Sequence, residues 1–185
     1  MSSEKDMAED RLPKTTIALH WILAASVFFL FVSSWWMLAL PLPSDDFTYR
    51  VIPFQLHKNI GLSILIFIVV MLGTRILVRY RREKEEKQWK QSLTDFDHLL
   101  IYFLVFACCV SGYISSSYSG WGTEFWWLVQ LPAWADENDD LNILFSDIHK
   151  WACWTLLALI ALHISAALQH AIKNDGIINK MFRVD

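Results

Sequence analysis

The chain has 185 residues, a length that suits one domain, but 55 % of them are hydrophobic and they include ten Trp and twelve Phe. That content excludes an ordinary soluble domain. The net charge of −3 says little, because the charges are segregated between loops.

Four long apolar runs argue instead for an integral membrane protein, an all-α antiparallel four-helix bundle. Cys108, Cys109 and Cys153 all lie inside these runs. An odd number of thiols in apolar helices reads as packing, not as a disulfide framework. The first fourteen residues are polar and mixed in charge, and no cleavable leader is expected.

Residues 1–14 form a polar tail. The first predicted helix covers about 15–40 and stops at Pro41-Leu42-Pro43. Its ionisable residue is His20, near the starting end, and Trp35 and Trp36 mark the far interface. The second covers 55–78 and opens with His57, on the opposite side of the membrane from His20. Gly61 follows one turn later on the same face, and Arg75, eighteen residues beyond His57, returns to that face near the other end. A basic stretch from Arg79 to Lys90 is a topology signal and calls for no nucleic-acid partner. The third helix, 96–118, has His98 at its start and Gly112 fourteen residues later.

The connection 119–146 has two halves. The first, with Trp121, Phe125, Trp126, Trp127, Leu128 and Trp134, predicts a short helix lying in the interface. The second, Asp136 to Asp140, is acidic. The fourth helix, 147–170, carries His149, His163 and His170 ahead of a tail at 173–185. The N-terminus, the loop between helices two and three, and the C-terminus carry most of the Lys and Arg, so both termini are expected in the cytoplasm.

Ionisable groups inside a bilayer are costly and usually have a partner or a task. By depth, His57 and His149 share an outer level, while His20, His163 and His98 lie toward the cytoplasm, with His170 lower still. His149 and His163 stand about 21 Å apart on nearly one face, too far to share one small ion. Each level suits its own large cofactor, because a neutral imidazole offers a lone pair to iron and facing helices commonly build such sites. At the inner level depth favours His20 as the partner of His163 over His98 and His170. Gly61 and Gly112 serve equally as clearance for a macrocycle or as helix-packing glycines. Arg75 serves equally as a propionate partner or as a snorkelling anchor. Taken singly, each His is more simply an interfacial residue; the two-level pattern lifts His20, His57, His149 and His163 above that reading.

The chain resembles the bacterial cytochrome b561 family. The resemblance rests on Ala18-Leu19-His20-Trp21, His57 with Gly61, Val70-Met71 to Arg75 and Arg79, His98-Leu99-Leu100-Ile101-Tyr102 with Gly112, and His149 with His163 and His170. It covers nearly the whole chain, from Arg11 to about His170. It implies two b-type haems with paired His ligands, by position His20 with His163 inside and His57 with His149 outside. It also implies a multi-pass protein of the bacterial inner membrane that carries electrons across it, with ubiquinone as acceptor and superoxide as one donor proposed for some members. The Trp-rich, then acidic, outer loop departs from that pattern, and an acidic rim repels an anionic donor. A periplasmic or membrane redox partner, such as a dehydrogenase or hydrogenase served by a cytochrome subunit, is the main alternative. A non-redox transporter or scaffold is disfavoured, because the apolar interiors of the four runs hold no Asp or Glu.

Overall fold

A computed structural model describes residues 14–40, 51–81, 89–131 and 135–173, with side chains described outside 74–95. Both tails, most of the first connection, the centre of the basic stretch and Trp134 lie outside the described residues. Helices α1 (Lys14–Ala39), α2 (Val51–Arg81), α3 (Trp89–Tyr118) and α4 (Asp139–Lys173) account for most of the described chain. At 1.5 Å per residue even the shortest reaches about 39 Å, more than the roughly 30 Å of bilayer hydrocarbon. Pro13 precedes α1 and Pro53 sits in the first turn of α2, where a missing N–H costs nothing.

All four helices qualify as membrane spans by length and composition. Their outward residues are as apolar as their inward ones: Phe28, Phe103, Trp151 and Ile172 are exposed by 62 % or more. A helix apolar all round belongs in lipid. Consecutive helices pack antiparallel, α1 on α2, α2 on α3, and α3 along the length of α4. The backbone of α4 approaches α1 and α2 no more than marginally. Ile64, Ile68, Val105, Cys108 and Leu156 form the buried core, with Leu23, Val27, Leu30 and Phe31 of α1 against it. Leu156 stands midway between His149 and His163 in sequence, so this core separates the two histidine levels.

Among the described residues, the first half of the outer connection is a hairpin and not the expected interfacial helix. Strands β1 (Thr123–Phe125) and β2 (Val129–Leu131) form an antiparallel hairpin, with Phe125 paired to Val129. Gly120 takes the left-handed backbone (φ 72°) that lets the chain leave α3. The Gln55 amide on α2 then imitates a neighbouring strand: its Nε2–H donates to the Gly122 carbonyl (3.0 Å), and its Oε1 accepts from the Glu124 N–H (3.5 Å). Lys58 Nζ also donates to the Gly122 carbonyl (3.3 Å), and Trp126 Nε1–H donates to Ser63 Oγ (3.0 Å). The hairpin thereby lies along the outer half of α2.

Helix α4 begins eight residues earlier than the apolar pattern indicates. Asn138 caps it, its Oδ1 accepting from the Leu141 N–H (3.0 Å), and Asp139 and Asp140 occupy the first turn, where carboxylates suit the helix dipole. Above the apolar core, Ser115 and Ser146 hydroxyls meet at 2.8 Å and Asn142 Nδ2 donates to the Ser115 carbonyl (3.1 Å), joining α3 to α4. The three cysteines are free thiols, and Cys108 and Cys153 meet at 3.6 Å across the same interface.

Candidate functional site

The bundle brings histidines from different helices together at two levels. At the outer level His57 of α2 faces His149 of α4, ring centroids 6.3 Å apart. At the inner level His20 of α1 faces His163 of α4 at 6.4 Å, and His98 of α3 lies 5.3 Å from His163. His170 sits in the last turn of α4, seven residues past His163. Both levels hang on α4, because fourteen residues are within about 40° of four complete turns.

A cofactor-holding imidazole must present one nitrogen and anchor the other. His149 Nδ1 lies 2.8 Å from the Cys108 carbonyl, which fixes that nitrogen as the donor and leaves Nε2 as the acceptor; the Cys153 thiol lies 3.6 Å from Nε2, a weak contact that a metal would displace. His163 Nδ1 lies 2.7 Å from Asp97 Oδ2 of α3, with the same effect. His57 Nδ1 is enclosed and has no hydrogen-bond partner, a condition that buried polar atoms rarely hold, so the protein's own hydrogen bonds do not explain the ring's placement.

The ring separations fit a shared metal. An imidazole nitrogen bonds a first-row metal at about 2 Å and the ring centre lies about 1.1 Å behind it, so two rings on opposite sides of one ion stand about 6.2 Å apart. The His57–His149 and His20–His163 pairs meet that spacing; His98 and His163 are too close for it. Among the described residues no group of three or more His, Cys, Asp or Glu could hold an ion. Two side chains suffice only for a metal that brings its own equatorial donors, as haem iron does.

The glycines behave differently from one another. A Cβ at Gly112 would meet His149 Cε1 and Nδ1 at 3.0 Å, so Gly112 clears the histidine ring itself. A Cβ at Gly61 would meet nothing within 4 Å, so Gly61 opens space beside His57 and packs against no helix. Arg75 lies on α2, but its side chain falls outside the described residues.

Asp97 was missed as a site residue. In the sequence it stands only as an acid beside His98 near the headgroup end of the third helix. The structure sets it on His163 and carries His98 into the same cluster. A carboxylate one residue from a histidine, at the level of a second histidine, was the available signal.

Comparison with known proteins agrees with this architecture. The family model for prokaryotic cytochrome b561 matches residues 11–183. Cytochrome b561 homolog 2 of Escherichia coli strain K12 is 26 % identical over 174 residues, covering 93 % of this chain and 91 % of its own. Cytochrome b561 homolog 1 of the same organism is 26 % identical over 184 residues, covering 93 % and 97 %. The chain, four apolar helices with histidines paired at two levels, belongs to the prokaryotic cytochrome b561 family of membrane cytochromes.

Proposed function

We propose that the protein passes single electrons across the bacterial inner membrane between two b-type haems, exchanging them with ubiquinone in the bilayer. His57 and His149 would hold the outer haem, His20 and His163 the inner one. Haem b supplies reversible one-electron iron chemistry; the protein binds, orients and insulates it. The observation that carries the reading is the pair of ring separations near 6.3 Å at levels set by one fourteen-residue spacing.

Within this frame the residues have distinct tasks. Each α4 imidazole is held by its far nitrogen, so its near nitrogen is already aimed before any cofactor arrives. Gly112 keeps the His149 ring seated, and Gly61 leaves a flat face for the macrocycle. Arg75 is assigned to an inner propionate. The apolar core between the levels excludes water and keeps the charge changes at each end separate. Asp136, Glu137, Asp139 and Asp140 are exposed on the outer face, which favours a redox partner protein with a basic surface over a small anionic one. Both termini are assigned to the cytoplasm by the basic loops, and reporter fusions at each end should be active only there.

The test is a reduced-minus-oxidised visible spectrum with haem stoichiometry on detergent-purified protein. Two low-spin b-type haems per chain are expected, and one haem in His163→Ala with the outer one retained. Two haems remaining in that variant would refute the pairing and turn attention to His98. No haem in folded protein from haem-replete cells would end the electron-transfer reading.

A further inference from the structure

The two α4 histidines are anchored by unlike partners. His149 gives its Nδ1 proton to a neutral backbone carbonyl, that of Cys108 at 2.8 Å. His163 gives its Nδ1 proton to the carboxylate of Asp97 at 2.7 Å, with the two side chains only 27 % and 28 % exposed. A carboxylate acceptor draws that proton harder than a carbonyl does, which makes the opposite ring nitrogen a stronger donor to a metal. A more basic axial ligand, with a negative charge close behind it, favours ferric over ferrous iron. At the other end Lys58, a cation, follows His57 directly and is held at the Gly122 carbonyl.

We propose that Asp97 is a positioning residue that holds the inner haem at a lower reduction potential than the outer one. This rests on His163 being an axial ligand. An electron shared between the two haems then rests at the outer end, and transfer from the inner level outward runs downhill.

The plainer role for Asp97 is a clasp between α3 and α4, and a redox titration separates the two. The full-length protein is titrated by visible spectroscopy as wild type, Asp97→Asn, Asp97→Glu and His163→Ala. Asparagine keeps the shape and an acceptor oxygen but removes the charge; glutamate keeps the charge. The wild type should show two distinct midpoints, with the higher one surviving in His163→Ala. In Asp97→Asn the lower midpoint should rise by at least a tenfold change in the oxidised-to-reduced ratio, about 59 mV for one electron. The upper midpoint should stay in place, Asp97→Glu should return the lower one toward wild type, and the inner ferric low-spin resonance should shift.

Coincident midpoints in the wild type, an unmoved lower midpoint in Asp97→Asn, or an equal movement of both would overturn the proposal. Should Asp97→Asn lose the inner haem, Asp97→Glu decides: an inner midpoint still below the outer supports it, and one at or above the outer overturns it. Two haems retained in His163→Ala would instead overturn the ligand assignment, whatever Asp97 does.

Discussion

Gly112 and Gly61 illustrate how one missing Cβ can act in two ways. At Gly112 the obstacle would be protein: alanine places its Cβ 3.0 Å from the His149 ring, and the ring must yield by a few tenths of an ångström, pulling at its bond to Cys108. Gly112→Ala should lower outer haem occupancy and Gly112→Val should nearly abolish it, read from the haem-to-protein ratio. At Gly61 nothing in the protein obstructs a larger side chain. Gly61→Leu should therefore lose outer haem without the steric conflict of Gly112→Ala. Full haem retention in Gly61→Leu would mean that the macrocycle does not lie against that face. The histidines were legible in the sequence because an apolar run makes any imidazole conspicuous. Asp97 was not, because an acid beside a helix end reads as a headgroup contact until the neighbouring helix is placed.

The hairpin shows why element type was harder to read than helix existence. Twenty-odd apolar residues in a run have few alternatives in a membrane, and the four spans follow from that. The stretch from Trp121 to Leu131 is rich in aromatics without a decisive period, and it lacks the Asn-Gly or Asp-Gly pair that advertises a tight turn. Trp126 and Trp127 take the left-handed positions instead, at φ 48° and 57°. Bulky residues held there cost about 1–3 kcal/mol each, offset by contacts elsewhere. One such contact is the Trp126 Nε1–H donation to Ser63. Trp126→Phe deletes it and should loosen the hairpin by about 1 kcal/mol. Faster proteolysis at the tip, with both haems retained, is the expected reading. The start of α4 was misplaced for a related reason: Asn138, Asp139 and Asp140 are polar, and a hydropathy argument assigns them to a loop. Their capping chemistry assigns them to a helix terminus.

On Asn59 of α2, fully buried, both side-chain amide atoms lack partners. Replacing such a group by an apolar residue of similar size removes a desolvation cost, so Asn59→Leu should leave thermal stability in detergent unchanged or raised. A clear fall in Tm would assign the amide a partner within the bundle.

Across the whole molecule, one apolar layer stands between the two histidine levels. Leu156 is 3 % exposed at its centre, in contact with α2 and α3. Leu156→Ala leaves a cavity there and should cost about 2–5 kcal/mol, visible as a lower Tm with both haems bound at the start of the melt. The overall topology was legible because charge, length and hydropathy act over whole helices. How tightly those helices close on one another was not, since that depends on what fills the space between them.

The lateral packing of α4 carries a consequence for how the protein is made. Its last helix is fastened along α3, and its reach toward α1 and α2 is confined to the core around Leu156 and to the rings of His149 and His163. On the proposed reading the prosthetic groups are the mortar of that seam. A chain synthesised during iron starvation would leave the insertion machinery with its final helix attached mainly along α3, presenting a seam to membrane quality-control proteases. Cofactor supply would then set the lifetime of the newly made chain as well as its activity.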